Sequence, residues 1–330
     1  MKNTVYILGA GFSATAGIPT MARFIGVAKD IAIEKDDKKL LEVIRKIRDL
    51  SNIKNYCSSD LTNLEEVFSI LEMEDWVLDT KNADLMKHMI RTVLDETTPK
   101  IIDKYPLPGN WYDWFMGGEI YSLIFGFVAY LMNLKFRKES ETISNGGTLI
   151  LHKEIQNANK KNDIISLNYD SLLENVVDQF NKYAKEGNEI EFNNSSNGVG
   201  LYKLHGCIKK NTIIPPTWAK AKNNEVEQEW KSAYKRLIDA NSIEILGYSL
   251  PDSDSYFKYF IKSAINNAQN LKRIRVICLD PYEDVKKRYK DLICFKDFEF
   301  VNSNISSFLN NFANFEDDRH GWKSNLNKKI

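Results

Sequence analysis

Residues Ile7–Pro19 read ILGAGFSATAGIP and begin inside the apolar run VYIL (5–8). A β-branched run that closes on spaced glycines and continues into ATAGIP has the layout of strand, tight turn and helix. That unit brings backbone N–H groups and a helix N-terminus up to the oxygens of a diphosphate, where a Cβ would obstruct. With alanine at position 14 the pattern is GxGxxA, weak alone because any strand–turn–helix favours glycine. Its position directly after a strand points to nucleotide binding, with Gly9, Ala10 and Gly11 as the cradle.

Further short runs close on a polar residue or glycine: IISL (164–167), IEFN (190–193), LYKL (201–204), IEIL (243–246) and RVICL (275–279), with FEFV (298–301) as an edge candidate. Their near-continuous hydrophobicity suits strands buried on both faces of a parallel sheet. Helical patterns alternate with them from residue 163 onward. SLLENVVDQF (171–180) has one apolar stripe and a capping box in Ser171 and Glu174. The expected fold is therefore α/β, a Rossmann-like, doubly wound, mostly parallel sheet.

Between about 31 and 145 strand-like runs are scarce. KKLLEVIRKI (38–47) and LTNLEEVFSILE (61–72) each carry one apolar stripe, the second with Thr62 and Glu65 as a capping box. The expected organisation is a nucleotide-binding core from 1–30 plus 146–315, a helical insertion over 31–145, and a polar tail over 316–330. The aromatic knot NWYDWFMGG (110–118) falls inside the insertion and reads as packing, with a pocket lid or oligomer contact as the rival.

Forty-five basic and forty-five acidic residues cancel, and no basic stripe marks a nucleic-acid surface. The four cysteines, Cys57, Cys207, Cys278 and Cys294, form no CxxC pair, so neither a zinc ribbon nor a disulfide framework is expected. No metal is expected, and a reducing, cytoplasmic setting is. The first strand starts too early to leave room for a signal peptide. Ile120–Leu134 is apolar but only 15 residues long, short of the ~20 needed to span hydrocarbon, and reads as a buried helix.

A dehydrogenase would next show a strand ending in an acid about 20 residues on. IAIEKDD (31–37) fits that poorly, because it continues a helical segment. The residues after the glycines point elsewhere. GAGFSATAGIP resembles the GAG-x-S-x-x-x-GIP motif of the sirtuin-like family, the NAD-consuming silent-information-regulator proteins. SLNYDSLLE (166–174), KLHGC (203–207) and ILGYSLPDSD (245–254) resemble three further family segments in the same order, and CLDP (278–281) adds a closing strand. The GYSLP segment, together with PPTW (215–218), is most similar to the prokaryotic anti-phage branch.

The resemblance implies cleavage of the nicotinamide–ribose bond of NAD. On it, His205 matches the catalytic base, and Asn168 the residue that orients ribose and the attacking water. Asp170 matches a group on the nicotinamide side. Ser13, Gly247 and Ser249 match phosphate or ribose contacts, and Asp280 is carried with them. The plainer alternatives are a surface or hydrogen-bonded core histidine for His205, turn closure for Asn168 and the Gly-x-Ser pair, and helix capping for Ser13, Asp170, Asp252 and Asp254. The deacylases' paired CxxC motifs are missing, and GIP is followed by TMARF instead of an acid–aromatic–arginine run, which weakens a site for acyl-lysine peptides. The implied activity is NAD glycohydrolase in anti-phage defence, with a homo-oligomer and a regulatory or ATPase partner from the same operon. Deacylation, ADP-ribosyl transfer and NAD or ADP-ribose sensing are the rivals.

Overall fold

The computed structural model describes residues 2–52, 63–102, 116–140, 150–155, 160–193, 198–214, 224–310, 316–318 and 321–323. Strand β1 (Lys2–Leu8) leads into the short helix α1 (Ala10–Ala14). Longer helices follow: α2 (Met21–Glu34), α3 (Lys38–Asn52), α4 (Leu64–Leu78), α5 (Asn82–Thr97) and α6 (Glu119–Leu131). Then come β2 (Leu134–Ser140), β3 (Ile150–Ile155), β4 (Lys160–Ser166), α7 (Leu172–Tyr183), β5 (Gly200–Lys203), β6 (Gly206–Cys207) and β7 (Thr212–Ile213). The chain continues through α8 (Glu227–Ile238), β8 (Ser242–Leu246), α9 (Ser255–Asn267), β9 (Arg273–Cys278), α10 (Asp284–Leu292), β10 (Phe298–Asn302) and α11 (Ile305–Asn310). Two short strands, β11 (Glu316–Asp318) and β12 (Gly321–Lys323), end the described part.

The main sheet has six strands in the order β10-β9-β8-β1-β4-β5, and every pairing is parallel. Alternate residues of each strand enter different cores. Tyr6, Leu8, Ile164 and Leu246 join the side covered by α2 to α7 and α11, while Val5, Ile7, Ile165 and Ile245 join the side covered by α8, α9 and α10. Both faces are buried, as the continuous apolar runs predict. The chain winds outward from β1 through β4 and β5, then returns to β8 and winds the other way. The order thus reverses between β1 and β8, and the crevice outside the strand C-termini at such a switch point is where ligands bind in open α/β sheets.

The segment Ile120–Leu134 forms α6 as a buried helix. Its Phe127 meets Tyr6 edge-on at 5.4 Å, and its Phe125 stacks on Phe136 at 4.9 Å. Among the described residues no helix is long and apolar enough to cross a membrane. IAIEKDD continues α2 instead of forming a second strand. In the aromatic knot, 110–115 lie outside the described residues, as do Cys57, Thr62 and PPTW (215–218).

The structure corrects several sequence expectations. IEFN (190–193) is a loop: the side chain of Asn181 holds both the N–H and the carbonyl of Ile190 at 2.8 Å, and Asn193 turns left-handed at φ 62°. The backbone of Ile190 is thus held by a side chain in place of a ladder partner, and the Asn193 N–H donates to the Val199 carbonyl at 2.9 Å. Ser171 makes no capping bond to α7; Asp170 Oδ1 takes the Leu172 N–H instead at 3.1 Å. Helix α4 is capped by Asn63, which accepts from Glu65 N–H at 3.0 Å. Toward the end of the helical stretch, β2 pairs antiparallel with β3, and β12 in the C-terminal tail pairs with β2, setting Trp322 opposite Phe136.

Candidate active site

The first turn and the loop after β8 interlock. Gly9 N–H donates to the Leu246 carbonyl at 2.9 Å, and Gly11 N–H to the Gly247 carbonyl at 2.7 Å. A Cβ on Gly9 would come within 2.5 Å of Tyr248 Cβ, and one on Gly11 within 2.8 Å of Gly247 Cα. Gly247 itself sits at φ +65° against the backbone of Gly11 and Phe12. The glycines therefore let two backbones touch, and the N–H groups of Gly9 and Gly11 are held by that contact. Diphosphate clearance alone does not account for them. Ala10, Gly11 and Gly247 still face the cavity, whereas Gly9 does not line it.

The loop after β4 is tied to the same turn. Asn168 donates both amide hydrogens, to the Gly9 carbonyl at 2.9 Å and to Ser13 Oγ at 2.8 Å. Ser13 passes its own hydrogen to Asp170 Oδ2 at 2.5 Å, and Asp170 Oδ1 accepts from Leu172 N–H. The polarity is fixed from amide to hydroxyl to carboxylate, which leaves the carbonyl oxygen of Asn168 as the group a ligand meets. Behind Asp170, Lys203 donates to the Asp170 carbonyl and pairs with Glu174 at 3.3 Å. Burial works to lower the Lys203 pKa, but Glu174, Cys207 and Asp170 together raise it above its ordinary value. Burial raises the Cys207 thiol; its Sγ donates to Glu174 at 3.5 Å.

His205 leaves β5 and turns at once into the β6–β7 hairpin. The turn requires Gly206, whose φ is +83° and whose Cβ would collide with the Thr212 carbonyl. The imidazole is 6% exposed and stands between Tyr169 and Trp230, at 5.7 and 6.4 Å between ring centres. Its Nδ1 lies 2.9 Å from the Leu167 carbonyl. A carbonyl only accepts, so Nδ1 carries the hydrogen and, in the neutral ring, Nε2 carries the lone pair that a general base needs.

These groups line one cavity of about 850 Å³. Asn168, Asp170 and His205 come from its β4–β5 side, Ser13 from α1 after the central β1, and Ser249 from its β8 side. Asp280 is not in the wall. Both its oxygens accept from the first turn of α10, Val285 N–H at 3.2 Å and Lys286 N–H at 2.9 Å, so here it serves the helix. Asp254 caps α9 through Phe257 N–H and accepts from the Tyr248 hydroxyl at 2.6 Å, while the exposed Asp252 pairs with Lys258. Cys278 lines the cavity with its thiol pushed up to about 11, by burial first and Asp280 second.

Sequence reasoning missed the walls supplied by the helical stretch. Phe68 of α4 and Ile90 and Leu94 of α5 close the cavity, and Glu65 of α4 enters it with 5% exposure. Its Oε2 accepts from Ser253 Oγ at 3.1 Å. In sequence Glu65 reads as half of a capping box, and no local pattern reveals a partner 188 residues away.

Residues 162–300 match the family model described as the SIR2-like domain. The match runs from within β4 to within β10, taking in Asn168, Asp170, His205, Gly247 and Ser249. No curated protein matches the chain. Among solved structures, one similar chain is Sir2 in complex with the inhibitor EX-527, 2′-O-acetyl-ADP-ribose and deacetylated p53 peptide. It is 11% identical, with 93% of this chain and 90% of that chain covered and a TM-score of 0.34. Residues 162–300, which supply most of the strands of the parallel six-stranded sheet, are thus similar to the SIR2-like domain.

Proposed function

We propose that the protein is an NAD glycohydrolase, which cuts the nicotinamide–ribose bond with water to give nicotinamide, ADP-ribose and a proton. The observation that carries this reading is the meeting of Asn168, Ser13, Asp170 and His205 in one cavity beside the first turn. The diphosphate lies over the turn at Ala10–Gly11, the adenosine half toward Ser249, and the nicotinamide ribose toward β4 and β5. The pyridinium leaves with the electron pair of its C–N bond as neutral nicotinamide, so no acid is needed on that side. Asn168 Oδ1 accepts from the attacking water and orients it. His205 Nε2 takes the water's proton as its oxygen bonds to C1′. The Asp170 carboxylate, held through Ser13, adds negative charge near the developing oxocarbenium ion.

In this reading the enzyme acts in the cytoplasm as the effector of a prokaryotic anti-phage system, halting the infected cell by depleting NAD. A regulatory or ATPase partner from the same operon, or a switch in self-assembly, restrains it at rest. The motif resemblance supports that role. The test is nicotinamide release from NAD by the pure protein, alone and with the product of the neighbouring gene. Release that falls at least about a hundredfold in Asn168→Ala and His205→Ala supports the reading. No release under either condition, at high enzyme concentration, overturns it.

A further inference from the structure

We infer that Glu65, delivered into the cavity by α4, is a specificity residue that accepts hydrogen bonds from the adenosine ribose and excludes a ribose bearing a phosphate. The inference rests on the site orientation given above. The strand order sets the geometry. The first turn follows β1 at the centre of the sheet, the catalytic groups follow β4 and β5 on one side, and the loops after β8 and β9 lie on the other. A dinucleotide whose nicotinamide end meets Asn168 and His205 must run its adenosine half toward β8 and β9. On that side the cavity continues past Ser249 to Leu279 and, after β10, to Asn304.

Glu65 hangs over that side. Its carboxylate is bound to Ser253, in the loop after β8, and is 5% exposed. It lies near enough to the Tyr169 and Tyr248 hydroxyls that its charge, after burial and alongside Asp254, adds to the upward shift of both phenols. The acid thus stands within the cavity between the loop after β4, which carries Tyr169, and the loop after β8, which holds its carboxylate through Ser253. A buried carboxylate is a charged acceptor for a ribose hydroxyl and a like charge to a phosphate. In dinucleotide folds an acid in that role normally comes from the end of the second strand. Here helices occupy that part of the chain, and the acid arrives from one of them.

The experiment is calorimetric titration of the full chain with ADP-ribose and with ADP-ribose 2′-phosphate, which needs no turnover. The wild type should prefer ADP-ribose by about a hundredfold or more. Glu65→Gln should weaken ADP-ribose binding about tenfold and shrink the preference to less than about tenfold. Glu65→Asp, which keeps the charge, should retain most of the preference. Thermal melting of each variant separates a folding defect from a binding one, and Ser253→Ala, which frees the carboxylate without removing it, should shift the preference in the same direction by less. An unchanged ratio in a folded Glu65→Gln variant overturns the inference and leaves the glycohydrolase reading standing. Binding of neither ligand by the wild type overturns both.

Discussion

Replacing Asn168 with aspartate changes one atom type and almost no volume, and it tests the network at the first turn. In the native loop the side-chain nitrogen donates at 2.9 Å to the Gly9 carbonyl and at 2.8 Å to Ser13 Oγ. An aspartate would set an oxygen against the Gly9 carbonyl, acceptor to acceptor, and would add a second carboxylate beside Asp170. Two hydrogen bonds are worth about 1–3 kcal/mol together, and the opposed acceptors and like charges bring the cost to roughly 2–4 kcal/mol. For a chain of this size that lowers the melting temperature by roughly 3–6 °C. The loop that carries Asn168 also carries Asp170 and, in the proposed mechanism, orders the water, so nicotinamide release should fall about a hundredfold or more. Differential scanning calorimetry and chromatographic assay of nicotinamide read the two effects. A variant that melts within about 1 °C of wild type and turns over NAD at the wild-type rate would refute the network and the role of the amide together.

Gly9→Ala should destabilise by about 1–3 kcal/mol and weaken ADP-ribose binding, because its Cβ would meet Tyr248 at 2.5 Å and push the β8 loop away; urea denaturation and calorimetry measure the two. Lys203→Met breaks a largely enclosed pair with Glu174 and releases the Asp170 carbonyl, so a loss of about 3 kcal/mol in urea denaturation is expected, with turnover reduced. Asp37 is held below its ordinary 3.8: burial opposes this, but the Leu40 N–H and His88 outweigh it. Its stabilising share is therefore present above pH ~4 and lost as pH falls through the lower folded value. Asp37→Asn should remove that share, so wild type and variant should converge in stability at pH ~2 and diverge at pH ~6, as urea melts at both pH values would report.

The parallel sheet was legible because strands buried on both faces must be apolar almost throughout, and VYIL, IISL, LYKL and IEIL are. The positions of Asn168, His205 and Gly247 were legible for a related reason, since each directly follows such a run. IEFN carries the same signal and is not a strand, because the decisive partner is Asn181 on the preceding helix. Asp280 follows a strand as the site residues do, but the first turn of α10 claims it. The capping position at Ser171 failed by one residue, since Asp170 offers an equally good acceptor and only backbone geometry chooses. The glycines were found for an incomplete reason: a sequence shows that a Cβ is missing, but not that Tyr248 stands where it would be. Glu65 was not legible as a site residue, because its meaning depends on how α4 lies across the sheet.

The central claim is that this cavity holds NAD with its nicotinamide ribose beside Asn168 and His205 and gives it to water. A mass balance with NAD labelled in its ADP-ribose half tests this most directly, with free nicotinamide, free ADP-ribose and protein-bound label counted in one reaction. The account predicts nicotinamide and free ADP-ribose in equal amounts, with no label on protein. Nicotinamide released while the label stays on protein, or NAD recovered intact, would contradict it.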